Sequence, residues 1–254
     1  MRAIIIAAGR GQRLGPNTDE RPKCLVDIGG RPILGHQLHA FSENDVDEIH
    51  IVRGYLAERI QVPGATYHAN PGWADNNILL SLFCAEAALV GPCLSTYGDI
   101  LFSPAVVRAA IAGPNDISLV VDRRWREAYD GRQDHPVAQA ELTVVDGDRV
   151  VTVGKQVGPE DAVGEFIGLA AYSEAGARTM REVFAEVRDA YRGRENEPFQ
   201  AAAQFRKAYL TDLFQEMTDL GTAVHCVAIK QGWKEIDTVE DYEKAVKALK
   251  TLEE

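Results

Sequence analysis

At 254 residues, 46% of them hydrophobic, the chain is long enough to bury a sizeable core, as one large or two small domains. Lys and Arg total 27 against 38 Asp and Glu, a formal net charge of -11, which argues against a broad nucleic-acid surface built on clustered basic residues. A small anionic ligand is compatible with that balance only if a local site brings its own cations.

Within residues 2–8, Ala3 to Ala8 form an uninterrupted apolar run ended by Gly9, as expected of a strand buried on both faces of a parallel sheet rather than of a signal peptide. A glycine-rich loop follows, and Pro32 then stands where a helix carrying Ile33, Leu34, Leu38 and Phe41 begins. Strands are predicted at 48–52 and 65–68, a buried helix over 77–89, a strand at 93–97, a short helix at 106–111 and a strand at 117–121. The hairpin 141–145/149–153 turns on Asp146-Gly147-Asp148, and 166–172 continues as strand. Helices are predicted around 175–191 and 198–220, the second stopped by Gly221, then a strand at 224–229. In the last helix Val239, Tyr242, Val246, Leu249 and Leu252 share a face, with Thr238 and Asp241 placed to cap its start.

This alternation predicts an α/β fold: a doubly wound, mostly parallel mixed sheet of Rossmann-like type with a small β-rich insertion. No linker interrupts the chain. It reads as one domain over 1–254, with a nucleotide-binding part at about 1–121 and an acceptor-binding insertion at about 122–172. Cys24, Cys84, Cys93 and Cys226 show neither C-x-x-C nor zinc spacing and are expected to be unpaired thiols in a reducing compartment. No stretch reaches the ~20 apolar residues of a membrane span, so a cytoplasmic location without a membrane partner is expected. Oligomeric state is left open, a homodimer included.

The chemistry concentrates between Gly9 and Lys23, G-R-G-Q-R-L-G-P-N-T-D-E-R-P-K. Gly9 and Gly11 let the backbone turn and present bare N–H groups to phosphate oxygens. Arg13 offers a planar fork suited to phosphate, and Lys23 a second cation. The loop follows the first buried strand, at the carboxyl end where open α/β sheets bind ligands. A dinucleotide fingerprint would need a third glycine at fixed spacing and an immediate helix, and a Walker A loop would end in G-K-[ST]; neither pattern is present.

The stretch Ala3–Lys23 resembles the signature of the nucleoside-triphosphate transferases, the sugar-nucleotide pyrophosphorylase superfamily. Asn76–Leu82, Tyr97–Phe102 and Glu235–Tyr242 are similar to the bacterial CTP:phosphocholine cytidylyltransferase group and its relatives acting on aminoethyl- and hydroxyethylphosphonate. The resemblance implies that Arg13 and Lys23 act on the triphosphate as catalytic cations, and that Ala8, Gly9, Gly11, Asn77 and Ser81 contact the nucleotide. It also implies that Asp99 and Asp237 coordinate Mg²⁺. Paired carboxylates suit that ion rather than zinc, although Asp237 alone would read as a helix cap and Asp99 as a turn residue.

CTP and a small phosphate- or phosphonate-bearing acceptor are the expected substrates. Asp122, Trp125, Lys155 and Glu165 are the candidate acceptor-binding residues: Lys155 for the phosphate or phosphonate, Glu165 and Asp122 for an ammonium, Trp125, Tyr129 or Trp233 for a choline face. V-D-R-R-W (121–125) and G-E-F-I-G-L (164–169) resemble the phosphonate-linked relatives more than the phosphocholine enzymes. The competing readings are a sugar-1-phosphate nucleotidyltransferase and a non-catalytic nucleotide-sensing subunit. A sensing subunit would have lost some of Arg13, Lys23, Asp99 and Asp237, yet all four are present.

Overall fold

A computed structural model describes residues 1–113 and 115–252, with side chains described through Lys247. In chain order the strands are β1 (Arg2–Ala7), β2 (Asp27–Ile28), β3 (Arg31–Pro32), β4 (Glu48–Arg53), β5 (Thr66–Ala69), β6 (Cys93–Tyr97), β7 (Ile100–Phe102), β8 (Ile117–Asp122), β9 (Leu142–Asp146), β10 (Arg149–Gly154), β11 (Gly164–Tyr172), β12 (His225–Ile229) and β13 (Trp233–Glu235). The helices are α1 (Ile33–Ser42), α2 (Ile78–Phe83), α3 (Pro104–Ile111), α4 (Arg126–Tyr129), α5 (Glu174–Ala190), α6 (Leu210–Asp219) and α7 (Val239–Leu252).

Nine strands form one sheet in the order β5-β4-β1-β6-β11-β8-β12-β10-β9. Its even-numbered β1 residues Ile4 and Ile6 pack with α2, α5 and α6, while Ala3, Ile5 and Ala7 pack on the other face with α1 and α3. A strand with helices on both sides has no polar face, which is why β1 is apolar from Ala3 to Ala7. Each isoleucine so buried contributes about 1.5–3 kcal/mol.

β1 pairs parallel with β4 and β6, β4 with β5, and β8 with β12, whereas β11 runs antiparallel between β6 and β8. The hairpin β9–β10 continues the edge beyond β12 and also touches β11. The segment expected to form a β-rich insertion is therefore woven into the main sheet, with β11 at its centre and buried along its whole length.

Three other expectations shift. The helix predicted over 77–89 ends at Phe83 and resumes only as a 3₁₀ turn at Glu86–Ala88. The helix predicted from 198 begins at Leu210, where Asp212 caps it by accepting from the Tyr209 N–H at 2.6 Å. The helix-like spacing of Phe199, Ala202 and Phe205 comes instead from an irregular segment that turns these side chains into the core. In α7, Val239 and Val246 are exposed and the buried positions are Asp241 and Ala245; the side chains of Leu249 and Leu252 lie outside those described. Its cap is as expected: Thr238 Oγ1 accepts from the Asp241 N–H at 3.1 Å, and Asp241 Oδ2 from the Thr238 N–H at 2.9 Å.

All four cysteines are free. Among the described residues no helix is long and apolar enough to cross a membrane.

Candidate active site

Because β1 and β6 are parallel with Ile6 opposite Tyr97, the loop after β1 and the turn after β6 leave the sheet at the same edge. Gly98 allows this closeness: a Cβ there would lie 2.7 Å from the Ile6 carbonyl oxygen. Gln37 of α1, fully buried, donates to the carbonyls of Tyr97 at 2.7 Å and Ile100 at 2.8 Å, so the turn carrying Asp99 is held from both sides.

Asp237 arrives by a route that the sequence pattern does not show. β13 pairs antiparallel with β7, Glu235 opposite Ile100, and the Ile236 N–H donates to the Asp99 carbonyl at 2.9 Å. Lys23 Nζ lies 2.7 Å from Asp99 Oδ2 and 2.7 Å from Asp237 Oδ1. The Arg13 guanidinium contacts Asp237 Oδ2, and Arg13 also donates to Gln139 at 2.5 Å. Burial opposes the charge on Lys23, but the two carboxylates outweigh it and raise its pKa. Burial likewise opposes the charge on Asp237, but Lys23, His135 and Arg13 hold its carboxyl well below the usual range.

These residues border a cleft of about 550 Å³ lined by Gly9, Gly11, Arg13, Lys23, Asn77, Asp99 and Asp237, among others. Gly11 sits at φ 70°, and a Cβ there would come within 2.6 Å of the Lys23 side chain. Gly9 is different: a Cβ would meet nothing within 4 Å. Its lack of a side chain matters to the cleft and not to the packing. Cys24 also lines the cleft, but burial pushes its thiol up to about 12, which removes it as a nucleophile.

Two predicted nucleotide contacts fall elsewhere. Ala8 is buried in the core and its carbonyl accepts from the Tyr55 N–H at 2.9 Å. Ser81 donates to the Asn77 carbonyl at 2.9 Å and accepts from Asn70 at 2.9 Å, so its hydroxyl braces the loop before α2. Asn77 remains at the cleft as the residue preceding α2, its side chain donating to the Lys207 carbonyl at 3.0 Å.

Of the four acceptor candidates, Lys155 and Glu165 line an adjoining cavity of about 200 Å³ and the other two do not. Asp122 is saturated internally: it accepts from the Arg124 and Gln231 N–H groups and, at 2.9 Å, from Trp233 Nε1. Trp125 is packed against Tyr129, Ala140 and Leu142. The cavity instead brings in Tyr97, Gln139, Glu141, Tyr209 and Glu235. Glu235 stands inside the Glu235–Tyr242 segment, so its neighbourhood was visible in the sequence. No period or motif pointed to Gln139 or Tyr209.

His135, which reads as an ordinary loop residue before Pro136, is buried with Nδ1 3.3 Å from Asp237 and 3.5 Å from Glu235. His135, Glu235 and Asp237 offer ligand atoms within 4.8 Å of one another. Arg132 already donates to Glu235 at 3.1 Å and lies 3.0 Å from His135 Nδ1, so a cation fills that side of the cluster. On the Asp99 side the two carboxylates converge on Lys23 Nζ, and the atom that a divalent ion would find free is Asp99 Oδ1, buried without a partner.

A two-faced α/β sheet with glycine-turned amides, cations and paired carboxylates at one edge defines a nucleotide-phosphate transfer site. Residues 3–162 match the MobA-like NTP transferase domain, and the chain belongs to that family. It is 26% identical to the CTP:phosphoglutamine cytidylyltransferase of Campylobacter jejuni, over 96% of this chain and 98% of that protein. It is 31% identical to the CMP-5'-(3-aminopropyl)phosphonate synthase of Streptomyces rubellomurinus, over 72% of this chain and 29% of that protein. The fold is similar to that of the inositol-1-phosphate CTP transferase of T. maritima, with TM-score 0.73 at 19% identity, covering 100% of this chain and 97% of that one.

Proposed function

We propose that this chain transfers CMP from CTP to a small phosphate or phosphonate monoester and releases pyrophosphate, with Mg²⁺ as its cofactor. The observation that carries the reading is the meeting of Lys23, Asp99 and Asp237 at the edge of the glycine-turned cleft. The similarity to cytidylyltransferases over nearly the whole chain supports CTP as the donor.

An oxygen of the acceptor attacks the α-phosphorus, a new P–O bond forms, and the bond to the β-phosphate oxygen breaks with its electron pair leaving on pyrophosphate. Phosphate and phosphonate oxygens are ionised near neutral pH, so neither a general base nor a covalent nucleophile is required. Asp99 and Asp237 would hold Mg²⁺, which neutralises charge on the reacting phosphates. Arg13 and Lys23 stabilise the charge that accumulates on the departing pyrophosphate, and the bare amides around Gly9 and Gly11 orient the triphosphate. Positioning and charge neutralisation supply most of the acceleration.

Pyrophosphate release measured with each of the four common nucleoside triphosphates, against phospho-alcohols, phosphonates, inositol phosphate and hexose 1-phosphates, tests this reading. CTP with a small phosphate or phosphonate is the expected pair. Preference for a hexose 1-phosphate, or CTP binding without turnover of any acceptor, overturns it.

A further inference from the structure

The cavity beside the triphosphate cleft shares Arg13, Asn77, Asp99 and Asp237 with it, so a molecule seated there would face the reacting phosphates. It is also lined by Glu141, just before β9, Glu165 on β11 and Glu235 on β13, three carboxyl groups carried by separate segments of the chain. Glu165 is only 5% exposed. Its Oε1 accepts from the Tyr129 hydroxyl at 2.6 Å, while Oε2, equally buried, has no partner. A buried acceptor left in that state is unfavourable and calls for a donor from outside the chain. Burial pushes the Glu165 carboxyl well above its ordinary range, and Glu235 and Glu141 add to the push. A cation reaching Glu165 Oε2 supplies the missing donor and favours the ionised carboxyl.

Among the described residues no cation reaches Glu165 Oε2. Arg132 is committed to Asp241, through two bonds of 2.7 and 2.8 Å, and to Glu235. Lys155 Nζ stands 3.9 Å above the Tyr209 ring, covering that face. The Tyr129 face carries the Arg132 guanidinium at 5.1 Å, and Trp125 is fully buried elsewhere. Tyr97, Phe166 and Trp233 also line the cavity, so aromatic surface is present, but the group left without a partner is a carboxylate oxygen, which suits a cation with N–H bonds to donate.

Resting on the transferase reading above, we propose that Glu165, with Glu141 and Glu235 beside it, selects an acceptor whose far end is a protonated amine bearing N–H bonds. Hydroxyl-ended and trimethylammonium-ended acceptors lack either the charge or the donor that Glu165 Oε2 requires.

Initial rates with CTP and acceptors paired to differ only at the far end test the assignment: 2-aminoethylphosphonate against 2-hydroxyethylphosphonate, and phosphoethanolamine against phosphocholine. The amine is expected to win in kcat/KM by about tenfold or more in each pair, as one charge-assisted hydrogen bond dictates. Glu165→Gln keeps a carbonyl oxygen for Tyr129 and points an amide donor at the amine. It should raise KM for the amine about tenfold or more with a much smaller change in kcat, and alter the hydroxyl acceptor by less than about threefold. Equal or better use of the hydroxyl or trimethylammonium partner by the wild type overturns the proposal, and so does an equal loss on both acceptors in a variant that still binds CTP in calorimetry. If Glu165→Gln does not fold, the wild-type pairs decide alone. CMP transfer to a hydroxyl-ended acceptor and not to the amine, or to none of the four while another phosphate acceptor turns over, sinks only this assignment, whereas CTP binding without turnover of any acceptor sinks the transferase reading as well.

Discussion

The Ile236 N–H donates to the Asp99 carbonyl at 2.9 Å, and this bond sets the Asp237 carboxyl beside that of Asp99, with Lys23 between them. The expected functions of these residues differ, and so do the consequences of removing each.

Asp99→Asn keeps the shape of the side chain and removes its charge. Lys23 retains Asp237 as a partner, so the melting temperature should fall by only a few degrees, about 4 °C at most. Turnover should fall by about a hundredfold or more, because a charged group at the reacting phosphates is lost. Pyrophosphate release at saturating CTP measures it; near-normal rates would count against metal binding by Asp99.

Lys23→Met should be harmful in two ways. It leaves two carboxylates facing one another with their shared cation gone, and breaking a buried pair costs about 3–5 kcal/mol. It also removes charge stabilisation from the leaving pyrophosphate, so kcat should drop. Chemical denaturation and single-turnover rates separate the two effects, and an unchanged rate in the folded fraction contradicts the assigned role.

Gly9→Ala and Gly11→Ala form a contrast. At Gly11 the left-handed backbone and the Lys23 side chain both oppose a methyl group, so stability should fall by about 1–3 kcal/mol. At Gly9 there is room in the packing, and thermal stability should be unchanged while CTP binds more weakly. Calorimetric titration with CTP on both variants checks this; unaltered CTP affinity in Gly9→Ala would remove that residue from the nucleotide site.

Glu141 gives a pH dependence with a defined sign. Burial raises its carboxyl from 4.5 to about 7, so the folded protein holds this proton more tightly than the unfolded chain. Its contribution to stability is therefore greatest below about pH 4.5 and is lost as pH rises toward 7. Glu141→Gln preserves an acceptor for the Tyr97 hydroxyl and abolishes the ionisation. The variant should gain stability relative to wild type at pH 8 and show little difference at pH 4, as melting temperatures at the two pH values will report.

Much of this architecture was legible in the residues themselves. β1 announced itself because burial on both faces tolerates no polar position, and the α7 cap because Thr238 and Asp241 stand at the spacing a capping box needs. Loops were less transparent. Phe199, Ala202 and Phe205 repeat as a helix would, yet that spacing only records which side chains an irregular segment turns inward. Asp122 and Trp125 looked like ligand contacts by residue type. Asp122 is instead taken up by two backbone N–H groups and the Trp233 indole, and Trp125 is buried in an apolar cluster that does not line the cavity.

The sequence by itself determined the buried first strand, the glycine-turned loop with Arg13 and Lys23, and the alternation of strands and helices, because each rests on local periodicity or local backbone freedom. Only the tertiary structure decided which acidic groups meet. β7 and β13 are three residues each, too short to leave a periodic signal, yet their pairing brings Glu235 and Asp237 to Asp99. The place of Glu165 on β11 was equally hidden, since an antiparallel strand threaded between β6 and β8 owes its position to neighbours far away in the chain.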